Sequence, residues 1–306
     1  MSFRVGILTS GGDAPGMNAV IAAACDRIER HGGQPLGIPG GFAGLAERDS
    51  LQIPANEARA HAYEPGTWLG TSRWPALAEA KGRQAARDAL SALAVDALLV
   101  IGGDGSAKGA RALAGALPVA FVPATIDHDI AGTEATIGMD SAIGYALHAI
   151  DRLWITGRAL RGRAFLVQTL GAPSGHLADA VAAAAGIEEA LVPERPFDLR
   201  SIARRLRDRA PDGTAIAVMS EAVGDAVSVA ATLAEHAGLR VHPTILGHAQ
   251  RAATQSARDR ALAEAAGRAA VESLADGRSA FVGLDAGGIA KPAPLTPASD
   301  REGTRR

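Results

Sequence analysis

The sequence predicts an α/β fold built on mostly parallel sheets. Three observations carry that expectation. Apolar runs of strand length alternate with helical patterns along nearly the whole chain. Three strand ends carry glycine or acidic residues, and 47% of the residues are hydrophobic, enough for a sizeable core. With 306 residues the chain accommodates one large or two medium domains.

Taken in order, an apolar run at residues 5–8 precedes a helical pattern at 18–31, and a run at 34–38 precedes a helical pattern at 75–93. The runs at 97–101 and 119–122 enclose a helical pattern at 108–115, and the pattern at 141–156 leads to the run at 164–169. Helical patterns at 175–186 and 198–210, a run at 215–219 and a helical pattern at 226–237 follow. The Ala-rich stretch 261–275 reads as tightly packed helix rather than low complexity, and 280–284 is the last run. Such alternation covers parallel sheets on both faces and puts ligands at the carboxyl ends of the strands. No sequence repeat is evident, although two similar α/β halves are compatible with the element count. Residues 291–306 carry Pro, Ser and charge without periodicity and read as a frayed tail.

Bulk properties exclude several classes. A net charge of −2 gives no field that would recruit nucleic acid or an acidic membrane surface. No apolar stretch approaches the roughly 20 residues of a membrane helix. Met1-Ser2-Phe3-Arg4 runs directly into a strand, so no signal peptide is expected. A single cysteine, Cys25, leaves no intrachain disulfide and fits a reducing compartment; it reads as apolar filler on a helix.

The chemistry concentrates at three junctions: Leu8-Thr9-Ser10-Gly11-Gly12-Asp13, Ile101-Gly102-Gly103-Asp104-Gly105-Ser106 and Pro123-Ala124-Thr125-Ile126-Asp127-His128-Asp129. Glycine between a strand and a helix presents backbone N–H groups to a phosphate. Carboxylates beside a phosphate repel it unless a metal or a proton transfer is involved, so Asp104, Asp127 and Asp129 point to Mg²⁺ and general-base chemistry. Alternation on an extended chain would put Asp127 and Asp129 on one side, where each raises the other's proton affinity. Taken alone, Gly11-Gly12-Asp13 reads equally well as a tight turn, and the Asp127–Asp129 segment as a solvated turn.

Together and in this order, the three motifs closely resemble the bacterial type of the ATP-dependent 6-phosphofructokinase family. Gly66-Thr67-Trp68-Leu69-Gly70-Thr71-Ser72-Arg73, Thr136-Ile137-Gly138-Met139-Asp140-Ser141-Ala142, Val192-Pro193-Glu194, Glu221 and Leu246-Gly247-His248-Ala249-Gln250-Arg251 match as well. The resemblance implies two similar three-layer α/β domains with the active site in the cleft between them. Residues 1–136 with 250–297 would form the larger, nucleotide-binding domain, 137–249 the smaller, sugar-phosphate-binding domain, and 298–306 a tail. It implies Mg-ATP as donor, bound by Gly11, Gly12, Phe42, Arg73, Gly103, Asp104, Gly105 and Ser106, with Asp104 on the metal. Asp127 would take the proton of the sugar hydroxyl, supported by Thr125 and Asp129. Arg163, Leu170, Gly171, Glu221, His242, His248 and Arg251 would bind a sugar phosphate, foremost fructose 6-phosphate in cytoplasmic glycolysis. His248 and Arg251 lie three apart and would share a face of a helical turn. A homotetramer, a dimer of dimers, would bring Arg163 and His242 in from the neighbouring subunit.

The chain also departs from the family pattern. Ala172 stands where the family has an Arg that stabilises the transferred phosphoryl group, and one lost donor of that kind costs about 10²–10³ in rate. His242 replaces an Arg, His128 an Asn, and Ala252-Ala253 a Gly-Gly that tolerates positive φ better. Gly105 leaves room for ATP where pyrophosphate users carry Asp, and Ala124 adds no cation where they carry Lys. Ala22, Asp26 and Trp154 stand where relatives place effector-binding Arg residues. Three readings stay open: an ATP-dependent sugar-phosphate kinase, a weakly catalytic or regulatory relative, and a kinase with another acceptor or with pyrophosphate as donor.

Overall fold

The computed structural model describes residues 3–159, 162–210 and 214–296. The chain divides into two compact units. The first comprises Met1–Thr125, Ile130–Gly138 and Thr254–Arg306, and the second Ile126–Asp129 and Met139–Ala253.

In chain order the first unit contains β1 (Arg4–Ser10), α1 (Met17–Arg30), β2 (Gln34–Gly37), α2 (Gly41–Glu47), β3 (Leu51–Gln52) and α3 (Ala55–His61). It continues with α4 (Ala80–Ala92), β4 (Ala97–Gly102), α5 (Asp104–Leu113), β5 (Val119–Thr125) and β6 (Ile137–Gly138). The second unit holds α6 (Met139–Ala159), β7 (Arg163–Thr169), α7 (His176–Ala184), β8 (Ala190–Leu191), α8 (Leu199–Arg209), β9 (Ala215–Ser220), α9 (Ala226–Ala237) and β10 (Arg240–Ile245). The chain then returns to the first unit as α10 (Ala257–Ala275), β11 (Ala280–Leu284) and β12 (Ala290–Pro294).

The first unit has an eight-stranded sheet in the order β12-β11-β5-β4-β1-β2-β3, with β6 beside β5. Only the outer pairs β2–β3 and β11–β12 are antiparallel. Strands β4 and β5 are buried at every position, as parallel strands covered on both faces must be. The second unit has a four-stranded, wholly parallel sheet, β10-β7-β9-β8. Side-chain caps begin its helices α8 and α9: Asp198 accepts from the amides of Arg200 and Ser201, and Asp225 from that of Ser228. These elements are the α/β class with parallel sheets that the alternating pattern predicts.

Several expectations are corrected. The helix expected over 75–93 is a 3-10 turn, Pro75–Ala78, followed by α4, with Glu79 extended between them. A Cβ on Gly82 would stand 1.9 Å from the Ala76 carbonyl oxygen, so the turn folds directly onto the helix. The helix expected at 108–115 begins earlier, at Asp104, so Asp104, Gly105 and Ser106 form its first turn. The short α2, α3, β3, β6 and β8 were not expected, and neither was β10. Strand β10 is an edge strand that tolerates Pro243, which gives it no long apolar run. The tail expected from Lys291 is ordered at its start: Lys291–Pro294 pair with β11, and Leu295 is buried in the core. Residues 297–306 lie outside the described residues.

At the register pair Ser10↔Gly102, β1 and β4 approach too closely for a side chain. A Cβ on Gly102 would stand 2.3 Å from the Ser10 carbonyl oxygen and 2.5 Å from Ser106 Oγ, whereas one on Gly105 meets nothing within 4 Å. Gly102→Ala is therefore expected to destabilise by about 1–3 kcal/mol through overpacking. Gly105→Ala should be neutral or slightly stabilising, because alanine suits a helix better than glycine. Thermal unfolding of the two variants checks the contrast.

Candidate active site

The carboxyl ends of β1 and β4 bring the first two junctions together. Gly11 has φ 89°, which glycine adopts without strain. Its amide donates to the Ser72 carbonyl (3.3 Å), and its carbonyl accepts from Thr71 Oγ1 (2.9 Å). Buried Thr9, on β1, donates from Oγ1 to the Gly70 carbonyl and bonds the Thr67 hydroxyl, each at 2.8 Å. Asn18, in the first turn of α1, accepts from the Trp68 amide (2.7 Å) and donates to the Glu64 carbonyl (3.0 Å). Ser72 Oγ donates to the Gly40 carbonyl (2.6 Å). The segment that ends in Arg73 is thus stitched to β1, α1 and the turn before α2 by polar bonds. Arg73 itself is exposed, with no hydrogen bond or ion pair among the described residues.

Gly103 caps α5, and Asp104 is its first helical residue. The Asp104 carboxylate, 42% exposed, pairs with Lys108 Nζ one turn on (2.5 Å). Ser106 is buried, its hydroxyl donating to the Ser10 carbonyl at 2.8 Å, so its side chain is a strut between α5 and β1. Gly103 also lies against Thr125, the buried last residue of β5. Phe42, expected beside the nucleotide, is instead a core side chain only 3% exposed. Its ring lies against Gly109 of α5, where a Cβ would stand 2.7 Å from the ring. Glycine there admits the aromatic ring into the core.

Asp127 follows Thr125 by two residues and belongs to the second unit. The segment is not the extended strand the alternation argument assumed. His128 has φ 52°, so the chain turns between Asp127 and Asp129, and Asp129 is exposed while Asp127 is half-buried. Arg251 Nη2 stands 3.8 Å from Asp127 Oδ2, with both side chains under 20% exposed (16% and 18%). Burial, and then the neighbouring His176, holds the His128 imidazole below its ordinary proton affinity, against the pull of Asp129.

The loop after β7 is built around Glu221. Its Oε1 accepts from the amides of Gly171 and Ala172, each at 3.1 Å. Gly171, at φ 125°, takes a conformation open to glycine, and the Leu170 amide donates to Gln250 Oε1 (2.8 Å). Ser174 Oγ lies 3.1 Å from the Asp127 carbonyl oxygen and 3.2 Å from that of Gly171, and Ser220 Oγ donates to the Ser174 carbonyl (2.8 Å). Leu170, expected to touch the acceptor, has a buried side chain. The sequence offered no role for Ser174 or Ser220, and Gln250 entered only as part of a matching motif.

The remaining acceptor residues scatter in character. Arg163 is half-buried at the start of β7. His248 and Arg251 lie on a 3-10 turn, Gly247–Ala252, where residues three apart eclipse. His248 is exposed. His242 rests on Phe165, ring centroids 5.8 Å apart, and its Nε2 is covered and lacks a hydrogen-bond partner among the described residues. That ring edge is therefore not presented to solvent. Neither Ala252 nor Ala253 has positive φ, so the expected strain from replacing the Gly-Gly pair does not arise.

A sequence profile described as phosphofructokinase matches residues 4–274. The chain is 38% identical to the ATP-dependent 6-phosphofructokinase of Lacticaseibacillus casei over 286 residues, 92% of this chain and 89% of that protein. It is 37% identical to ATP-dependent 6-phosphofructokinase 1 of Thermus thermophilus over 304 residues, 97% of this chain and 94% of that one. Among solved structures, Pichia pastoris phosphofructokinase in the T-state superposes with a TM-score of 0.88 at 27% identity; 96% of this chain matches 35% of that longer one. The pyrophosphate-dependent phosphofructokinase of Marinobacter aquaeolei shares the fold (TM-score 0.85, 21% identity, 97% of this chain and 84% of that one). These matches span nearly the whole sequence, and the chain belongs to the phosphofructokinase family.

Proposed function

We propose that this protein is an ATP-dependent 6-phosphofructokinase of cytoplasmic glycolysis, transferring the γ-phosphoryl group of ATP to the 1-hydroxyl of fructose 6-phosphate. The observation that carries the reading is the Asp127 carboxylate, half-buried beside Arg251 and following β5 directly. Asp127 accepts the hydroxyl proton as the sugar oxygen bonds to phosphorus and the bond to the β-phosphate oxygen breaks, releasing ADP. Arg251 orients the carboxylate. Such a loose transition state asks mainly for positioning and charge neutralisation, which the fastened loops around Gly11 and Gly171 supply.

The donor half fits a magnesium nucleotide. Asp104 is a partly exposed carboxylate at the head of a helix, tied among the described residues only to Lys108. One carboxylate suits Mg²⁺, which keeps waters and phosphate oxygens as its other ligands. Among the described residues no group of three His, Cys, Asp or Glu forms a cage of its own. Asp104 would hold the ion, which neutralises charge on the β- and γ-phosphates when bound. Neither packing nor positive φ demands glycine at 105, and the open space there leaves room for a nucleoside triphosphate, which favours ATP over pyrophosphate. Gly11, Gly12, Gly103 and Arg73 complete the donor side. Thr125, Asp129, Arg163, Gly171, Glu221, His248 and Arg251 form the acceptor side. A homotetramer is the assembly that accompanies this reading.

A second reading, a slow enzyme or one with another sugar-phosphate acceptor, rests on Ala172. Its amide is held by Glu221, and its side chain brings no charge to the loop.

The cations near Asp26 are already occupied. Asp26 pairs with Arg30 (2.7 Å) and Arg59 (2.9 Å), and Arg27 pairs with Glu272. The hydrogen bond from Arg30 is the main reason the Asp26 carboxyl lies below its usual range. An anionic effector would have to break these pairs.

Two outcomes follow. Asp127→Asn is expected to lower kcat by about 10²–10⁴ with little change in ATP affinity, read by coupled ADP release and by nucleotide titration. Phosphoenolpyruvate should leave the fructose 6-phosphate saturation curve hyperbolic and unshifted. A sigmoidal response at modest concentration would contradict this account of Asp26.

A further inference from the structure

The loop from Gly171 to His176 carries no guanidinium, yet the imidazole of its last residue, His176, is paired with that of His128. His176 opens α7 and is exposed, and its ring stands edge-on to that of His128, with centroids 6.0 Å apart and planes at 82°. His128 sits between Asp127 and Asp129 at φ 52°, a region that Asn, Asp and His enter more readily than other side chains. The loop is fastened to that same segment through Ser174, 3.1 Å from the Asp127 carbonyl oxygen. Backbone conformation at 128 and the Ser174 hydrogen bond thus hold together the two segments that carry the imidazoles.

We propose that His128 and His176 act as an imidazole pair that takes up a phosphate group beside Asp127, supplying the positive charge that Ala172 does not. The idea rests on the phosphotransferase reading given above. Without a ligand, burial and the adjoining His176 lower the proton affinity of His128. Positive charge on both rings, 6.0 Å apart, is self-repelling, and the negative charge of a bound phosphate offsets that repulsion and favours proton uptake by His128. The other charged groups here are Asp127 and Asp129 on the His128 segment, Arg251 beside Asp127, Glu221 bonded to the loop amides, Glu194 bonded to the Gly175 amide, and Asp179 of α7 with its partner Arg195. Asp129 favours protonation of His128, and burial and His176 oppose it. Binding of phosphate should therefore be accompanied by proton uptake and should weaken as pH rises through the His128 midpoint.

The test records the imidazole C2-proton resonances of the whole protein between about pH 5 and 8, with and without inorganic phosphate. His128→Asn and His176→Asn assign the signals. Asparagine tolerates the left-handed backbone at 128, and position 176 is exposed, so both variants should fold. Phosphate is expected to raise the His128 midpoint by about one unit, and His176→Asn to diminish that rise. In kinetics, the alkaline fall of kcat/KM for the sugar phosphate should flatten in both variants. A raised KM at constant kcat assigns the pair to the acceptor's own phosphate, and a lowered kcat at constant KM to the transferring group. Resonances that ignore phosphate, or variant pH profiles that overlay the wild type, overturn the proposal. Resonances that respond in a protein without kinase activity would uphold the pair and overturn the activity instead.

Discussion

The arrangement of the strand ends in the first unit depends on the approach of β1 to the head of α5. Gly102 has no Cβ because the Ser10 carbonyl and the Ser106 hydroxyl occupy its place, and Ser106 closes the gap with a buried hydrogen bond to Ser10. This contact fixes where Gly103 and Asp104 lie relative to Gly11. The segment ending in Arg73 is then fastened to the same strand end through Thr9 and Gly11. Glycine removes the bulk, and short hydroxyl side chains hold the backbones in the resulting arrangement.

The second unit reaches its own arrangement by different means. There a carboxylate, Glu221, organises the amides of Gly171 and Ala172, while Ser174 and Ser220 link that loop to the segment carrying Asp127 and to β9. One Glu221 oxygen is spent on the protein itself, so its part in the site is first to shape the loop. Arg251 then sets the direction of the Asp127 carboxylate. Loops braced by buried or half-buried polar bonds hold catalytic groups more firmly than exposed ion pairs such as Asp104–Lys108, whose contribution is small and easily surrendered to a ligand.

Much of this was legible in the sequence. Long apolar runs such as Ala97–Gly102 and Val119–Thr125 announced the central strands, because a parallel strand covered on both faces has no polar side to disguise it. Edge strands were illegible for the opposite reason: β10 and β12 have no fully buried position and contain proline, so they read as loop or tail. The glycine motifs located the junctions, but not that α5 starts at Asp104, since its first turn holds two residues suited equally to a turn. Phe42 and Leu170 show that a position beside a motif does not reveal which way its side chain points. The left-handed turn at His128 was hidden because His, unlike glycine, gives little notice of positive φ. The polar braces Ser174, Ser220 and Gln250 meet their partners only through tertiary structure.

The central claim is that this protein moves a phosphoryl group from ATP to a hydroxyl of fructose 6-phosphate. Phosphorus NMR of purified protein with ATP and fructose 6-phosphate tests it most directly. The account predicts one new phosphomonoester resonance, from the C1 phosphate of the hexose, growing mole for mole with ADP. ADP accompanied only by inorganic phosphate, or an unchanged spectrum, would contradict it.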